Sequence, residues 1–308
     1  MPEKLLGRTL VIRGGALGDF LLTLPVLRAL REASRHLEIL AYPQFCALAR
    51  EAGLVDGGRS IEYGPLAGFF ARGAIHDPEL RAYFGSFDTA LSYLYDPDGI
   101  FAESIRASGL KDFVQGPHKP GIGAHAIDQL AAPLAGLGVV MSESAVEIPV
   151  SGEATETLLV ALHPGSGSST KNWPAAQWEQ LAHGLLAAHP QICLGIIGGE
   201  ADGEVLDSLQ TLRGNKRAQF WQNLPLTALS EKLGRARGYI GHDTGVSHLA
   251  AVMGVPSLLL FGPTDPSIWA PPHRHAHVLR APDGDLSRLK LETVLAAVDR
   301  HIPGSLLA

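Results

Sequence analysis

Gly238 to Pro271 reads GYIGHDTGVSHLAAVMGVPSLLLFGPTDPSIWAP, and this stretch decides the fold. A short apolar strand ends at Gly241, and the chain turns through His242, Asp243, Thr244 and Gly245. A helical run, Val246 to Met253, is closed by Gly254, the residue expected just past a helix C-terminus. Pro256 admits a second buried strand, Ser257 to Phe261, and then a loop rich in Pro and Asp. A strand–turn–helix with Thr and Gly at the turn aims backbone N–H groups at whatever sits above the helix, which makes an anion site. Thr244 and His248 stand four apart and share one face of the first turn.

Outward from that stretch, the same strand–helix alternation fills the chain. Leu10 to Arg13 reads as a strand, with Gly14, Gly15 and Gly18 in the following turn. Asp19 begins a helix spaced by Leu24, Leu27 and Leu30, in which Pro25 predicts a kink. Further strands are expected at Leu37 to Tyr42, Ile61 to Tyr63, Phe87 to Leu94 and Asp112 to Gln115. Helices are expected at Gln44 to Gly53, up to Ser108, and from about Ala124 to Leu137. Polar residues replace the periodicity near Ser142 to Glu156, and a fresh alternation starts at Leu158. The second series runs strand LLVALHPG, helix Pro174 to Ala188, strand ICLGIIGG and helix Glu204 to Leu212. A strand at Ala218 to Trp221, helix Leu226 to Leu233, the opening stretch and an amphipathic helix Leu286 to His301 complete it. The pattern predicts an α/β chain of two Rossmann-like parallel-sheet domains, residues 1–150 and 151–308, facing across a cleft. The final helix is a candidate to pack back on the first domain.

Composition narrows the function. The 308 residues are 46% hydrophobic and 18% charged, enough to bury a substantial core. No apolar run approaches the ~20 residues of a membrane span, and the first residues read directly as strand one with no secretory leader. Cys46 and Cys193 sit in separate apolar contexts and read as buried free thiols, which suits a reducing cytoplasm. A net charge of −6 argues against a general nucleic-acid binder, while leaving room for peripheral membrane contact.

Each motif has an ordinary reading beside the functional one. RGGALGD at residues 13–19 has Arg13 where a dinucleotide motif needs its first Gly, and Glu38 lies near the start of strand two instead of its end. From spacing alone Asp19 reads equally as a catalytic acid or a helix-terminal acid favoured by the dipole. HPGSGSSTKNWP, His163 to Pro174, offers hydroxyl and amide donors and the charge of Lys171 without being a Walker motif. Trp173 should be buried and pin that loop. Glu200, directly after a strand, suits a pair of ribose hydroxyls or a plain helix start. Asp243-Thr244-Gly245 spells an aspartic-protease signature, but the chain has no second one and a helix follows. His273, His275 and His277 alternate on an expected strand, with no Cys or acid to complete a metal site.

Three long motifs in order, VIRGGALGDFLLTLPVLRAL (11–30), HPGSGSSTKNWPAAQWEQLA (163–182) and GHDTGVSHLAAVMGVPSLLLFGPTDP (241–266), resemble the ADP-heptose:lipopolysaccharide heptosyltransferase family. FDTALSYLYDPDG (87–99) and HAIDQLAAPLAGLG (125–138) fit it more loosely. That family is glycosyltransferase family nine, of GT-B architecture. The resemblance implies Asp19 as general base, and Lys171 neutralising a nucleotide diphosphate with help from Ser166, Ser169 and Thr170. It implies Glu200 on the ribose, with Asp243, Thr244, Gly245 and His248 holding the donor, His248 and Lys171 counting as catalytic. Gly14, Gly15 and Gly18 would form the acceptor-side turn, with Arg28, Arg31, Arg35, Arg72 and Arg106 as candidates for an anionic acceptor. It further implies inversion without a metal or cofactor and an ADP-linked nucleotide-sugar co-substrate. The acceptor would be a lipopolysaccharide core or related glycan. The location would be cytoplasmic, with peripheral contact at the inner membrane face as an extension. A different nucleotide sugar, a GT-B-like nucleotide-sugar epimerase and a non-catalytic carbohydrate binder are the alternatives.

Overall fold

The computed structural model describes residues 5–148 and 158–302. The chain forms two compact units, Met1–Val146 and Glu147–Ala308; the junction expected at 150/151 lies outside the described residues. In the first unit, strands β1 (Leu6–Ile12), β2 (Ser34–Ala41), β3 (Gly57–Ser60), β4 (Thr89–Ser92) and β5 (Asp112–Gln115) make a parallel sheet in the order β3-β2-β1-β4-β5. The second unit contains β6 (Leu158–His163), β7 (Ile192–Gly198), β8 (Ala218–Gln222), β9 (Gly238–His242), β10 (Ser257–Phe261) and β11 (Ala276–Arg280). Its parallel order is β11-β10-β9-β6-β7-β8.

Both orders reverse direction beside the first strand, between β1 and β4 and between β6 and β9. At such a point the two following connections leave to opposite sides, so a crevice opens beyond the strands' carboxyl ends. The central strands are buried on both faces, which is why they read as continuous apolar runs. Leu10, Val11 and Ile12 have no exposed surface, and neither have Leu194, Ile196, Tyr239 and Ile240.

Local departures from the sequence reading have physical causes. The expected kinked helix is two helices, Leu17–Leu21 and Leu24–Ala33, broken at Leu22 and Thr23. Pro25 falls in the first turn of the second, where its missing N–H forfeits no helical bond. The third strand is Gly57–Ser60, ahead of the expected Ile61 to Tyr63. A Cβ on Gly58 would lie 3.0 Å from both Ile39 O and Cys46 Cβ, so glycine permits this edge to close against its neighbours. No apolar periodicity announces the helix Pro78–Gly85, which starts where Asp77 accepts from the Leu80 amide at 2.8 Å. The expected long helix after Ala124 is α only over Ala126–Ala131 and tightens to 3₁₀ over Ala132–Leu137. Cys46 and Cys193 are free thiols, half-buried rather than fully buried.

The last helix, Leu291–His301, starts later than expected and packs on β10, β11 and the helix Ala175–Ala188 of its own unit. Val294, Val298 and Ile302 join that unit's core there. Among the described residues no helix is long and apolar enough to cross a membrane. Leu194 of β7 sits at the centre of this core with no exposed surface. Leu194→Ala is expected to lower the unfolding free energy by about 2–5 kcal/mol in a urea titration.

Candidate active site

The second unit's site grows from the carboxyl ends of β6 and β9. Gly241 has no side chain because Tyr239 needs the space: a Cβ there would lie 2.2 Å from the tyrosine oxygen. The Ser247 hydroxyl donates to His242 O, and the Tyr239 hydroxyl donates to Ser247 Oγ at 2.9 Å. These bonds tie the helix Gly245–Val252 to the strand before it, and Thr244 caps that helix by accepting from the Ser247 amide. The helix N-terminus therefore sits rigidly at the strand end, as the anion-site reading requires.

His242 clasps the Ser-rich loop to this strand. Its ring has no exposed surface; Nε2 accepts the Trp173 amide at 2.8 Å and Nδ1 donates to Gly165 O at 3.2 Å. That pair of bonds demands the neutral imidazole, and burial pushes its pKa down to about 4, against the carbonyl of Gly165. Trp173 is buried as expected, and its indole donates to Leu289 O at 2.8 Å. So pinned, the loop delivers Lys171 Nζ to 2.9 Å from Asp243 Oδ2, with the lysine a third exposed and the aspartate nearly covered. Ser166 is buried, and its hydroxyl donates to Ser168 O at 2.6 Å, shaping the loop itself. The hydroxyls of Ser168 and Thr170 lie 2.9 Å apart; the Ser169 side chain lies outside the description. His248 is buried in the first turn, its amide donating to Thr244 O.

Beside this cluster lies an open pocket of about 290 Å³, lined by His163, Ser166, Glu200, Asp202, Trp221 and Thr244 among others. Glu200 is exposed at its edge. His163 and Asp202, both buried, face each other with Nε2 3.5 Å from Oδ2, and His163 Nδ1 lies 3.3 Å from Thr244 Oγ1. Burial works to raise the Asp202 carboxyl, but the bonds from His163 and from the Gly199 amide outweigh it and hold it below the usual carboxylate range. Gly165 makes the approach possible, since a Cβ there would lie 1.9 Å from Asp202 Oδ1.

In the first unit, Asp19 follows the turn after β1. Its Oδ2 accepts the Ala16 amide at 2.9 Å, so it is a helix-terminal acid, and a third of its side chain stays exposed. Gly15 has φ +91° and a Cβ there would lie 2.7 Å from Asp19 Oδ2, while one on Gly14 would press on Leu94 at 3.1 Å; Gly18 lies inside the short helix. Arg13, fully buried, places Nη2 3.4 Å from Asp19 Oδ1 and donates from Nε and Nη2 to Asp19 O at 3.2 and 3.0 Å. Burial lowers the guanidinium's pKa, opposed by the Asp19 charge. Sequence reasoning missed Arg13, His163, Asp202 and His242. The two histidines had a visible signal, since each closes a buried apolar strand.

Other candidates resolve into ordinary partners. Glu38 pairs with Arg8 at 3.3 Å and His36 at 2.7 Å, and receives the Tyr83 hydroxyl. Arg28 and Arg31 pair with Glu143 and Asp56. Strand β11 begins at Ala276, so of the three histidines only His277 lies in it, stacked on His301. Among the described residues no group of three His, Cys, Asp or Glu could hold a metal.

A profile of Glycosyltransferase family 9 (heptosyltransferase) matches residues 134–297, more than half of the chain. The chain belongs to glycosyltransferase family 9. Lipopolysaccharide heptosyltransferase 1 of Pseudomonas aeruginosa is 38% identical over 108 residues, 35% of this chain and 29% of that protein. The chain covers between 29% and 47% of the length of the curated heptosyltransferases it matches. Over 96% of its length the fold superposes on a family 9 glycosyl transferase from Veillonella parvula, covering 97% of that chain, with TM-score 0.77 and 18% identity. It also superposes on the Escherichia coli heptosyltransferase WaaC with ADP, covering 96% and 99% of the two chains, with TM-score 0.71 and 19% identity. The fold of this family member is thus GT-B, with its two parallel-sheet domains.

The His242 clasp makes stability depend on pH. The folded state holds the ring neutral and the unfolded state does not, so unfolding takes up a proton below the usual histidine value of 6.5. Stability is expected to fall as pH drops from 6.5 to about 4, by roughly 3 kcal/mol from this ring. Asp202 adds a loss of the same sign at lower pH. Urea midpoints of His242→Gln should fall less steeply over this window than those of the parent; equal slopes would remove the clasp from the pH dependence.

Proposed function

We propose that this chain is an inverting, metal-independent glycosyltransferase that moves heptose from ADP-heptose to a lipopolysaccharide inner-core acceptor. The observation that carries the reading is the meeting of Lys171, Asp243, Thr244 and the helix N-terminus at Gly245, at the switch point between β6 and β9. A diphosphate needs positive potential and several donors at fixed positions, and these residues supply both. ADP is supported by the solved E. coli relatives, whose structures hold ADP and ADP-2-deoxy-2-fluoro heptose.

In this reading the diphosphate oxygens compete with Asp243 for the Lys171 ammonium, and the amides at the helix start take a second oxygen. Glu200, at the pocket edge, accepts the ribose hydroxyls. His248, in the same turn as Thr244, faces the donor's sugar. Asp19 removes the acceptor hydroxyl proton as that oxygen attacks the anomeric carbon. The carbon–oxygen bond to the diphosphate breaks, and the electron pair leaves on the phosphate oxygen. Arg13 keeps the Asp19 carboxylate oriented, while Gly14, Gly15 and Gly18 let the acceptor approach the backbone. The nucleotide sugar is a co-substrate, so no resident cofactor is invoked. An acceptor carried on a lipid would bring the enzyme to the inner face of the membrane as a peripheral protein.

A calorimetric screen of ADP-, UDP- and GDP-sugars tests the donor, and absence of ADP-heptose binding would sink the reading. Asp19→Asn is expected to keep donor affinity while transfer falls by about 10²–10⁴-fold. Undiminished transfer would remove Asp19 from the chemistry. Lys171→Ala should weaken ADP binding about tenfold or more, and unchanged affinity would reject its phosphate role.

A further inference from the structure

Asp19 has neighbours in the first unit that the transfer just described does not use. It follows β1, and the segments after β4 and β5 leave the same sheet on the β4 side of its switch point. Arg13 joins them, because the guanidinium that faces Asp19 also donates from Nη1 to His118 O at 3.4 Å. Gln115 ties the other two segments together: its Nε2 donates to Leu94 O at 3.0 Å and to Gly116 O at 2.9 Å. Leu94 packs beside Gly14, where a Cβ would lie 3.1 Å from its Cδ2. Gln129 holds the far side of the loop after β5, accepting from Gly121 N at 2.7 Å and donating to Gly121 O at 3.0 Å. Asp96 accepts the Phe101 and Ala102 amides at 3.2 and 2.9 Å and so fixes the turn after Tyr95. On this scaffold Tyr95 is 66% exposed, and the exposed His118 ring lies against it with centroids 4.7 Å apart and planes at 59°. Lys119, next in the chain, is exposed and pairs with no acid among the described residues.

We propose that Tyr95 and His118 form the platform on which the acceptor sugar lies beside Asp19, with Lys119 holding an acidic group of that acceptor. The C–H groups on the face of a pyranose are apolar and slightly positive, and an aromatic face carries the negative side of its quadrupole. Stacking uses the sugar's face and leaves its hydroxyls at the rim, where one can reach a carboxylate beside the platform. A tyrosine ring has few torsions to freeze, so a ligand settles on it at low entropic cost. Arg13 donates to both His118 O and Asp19 O, which keeps platform and base in a set relation. Of the arginines expected to meet an anionic acceptor, Arg28 and Arg31 are paired with acids and Arg106 lies over Phe113. Lys119 instead stands unpaired at the platform's edge, where an acid on the acceptor completes it.

The inference rests on the acceptor and the base proposed above, and its test separates them. The probe is heptose-free lipopolysaccharide deacylated with alkali, bound to the full chain in calorimetry and proton NMR, with ADP-heptose affinity measured in parallel. Sugar C–H protons of the probe should move upfield on binding, through the ring current. Tyr95→Ala should lose that shift and bind the probe about tenfold more weakly, while ADP-heptose affinity holds. Tyr95→Phe, which keeps the ring, should restore affinity to within about threefold of the parent. Lys119→Ala should weaken probe binding about twofold to fivefold, a loss that shrinks with added salt. Unchanged probe affinity in Tyr95→Ala, or Tyr95→Phe binding as weakly as Tyr95→Ala, overturns the platform and leaves the proposed transfer standing. A loss shared equally by ADP-heptose makes Tyr95 a structural residue and overturns it as well. Unchanged affinity in Lys119→Ala strikes the cation from the platform. A parent protein that binds ADP-heptose but not the probe overturns both this inference and the lipopolysaccharide acceptor. One that binds the probe but not ADP-heptose keeps the platform and loses the donor.

Discussion

The neutral ring of His242, held between Trp173 N and Gly165 O, is the interaction on which the second unit's site depends. The two partners belong to one loop, so a single side chain on β9 closes the whole Ser-rich segment against the neighbouring strand end. An imidazolium could donate to Gly165 O but could not accept from Trp173, and the loop would lose one of its two ties. Trp173 adds a third tie through Leu289 O. Within this frame Lys171 meets Asp243 at the mouth of the site, 72 residues away in sequence.

The first unit uses a different device at the equivalent place. There Arg13, at the end of β1, is buried and donates twice to the backbone of Asp19 while facing its carboxylate. A buried guanidinium with fixed donors holds an acid in one orientation while the acid's edge stays exposed. Both units thus place a charged group beyond a strand's carboxyl end and fix its segment with a buried polar side chain, Arg13 just past the end of the same strand in the first unit and His242 from the neighbouring strand in the second.

Much of this was legible in one dimension. The glycine-rich turns after β1 and β9 announced close backbone approach, and the strand–turn–helix at 238–253 announced an amide-lined terminus. Trp173 in a polar loop announced a pin, and the pin is there. The pairings were not legible. Lys171 and Asp243 each read as a ligand group, and nothing in their spacing says that they bind each other. Nothing in the sequence sets Asp202 apart from Glu200, because burial of a carboxylate depends on what packs over it, here a loop opened by Gly165. The break at Leu22 and Thr23 was missed for a similar reason: periodicity continues across it, while Pro25 marks a new first turn.

By itself, the sequence determined the class of fold and the positions of its functional turns, because strand burial, glycine freedom and helix termini are local properties of a few consecutive residues. It also carried the family, since three long motifs stand in order along the chain. Only the tertiary structure decided which polar groups are partners. Polar contacts between residues 163 and 202, 163 and 244, or 173 and 242 form where parallel strands bring distant ends together, and the order of strands is a property of the whole sheet. The stretch from Gly238 to Pro271 therefore announced an anion site. The surrounding sheet decided that its threonine is tied to a buried histidine and carboxylate.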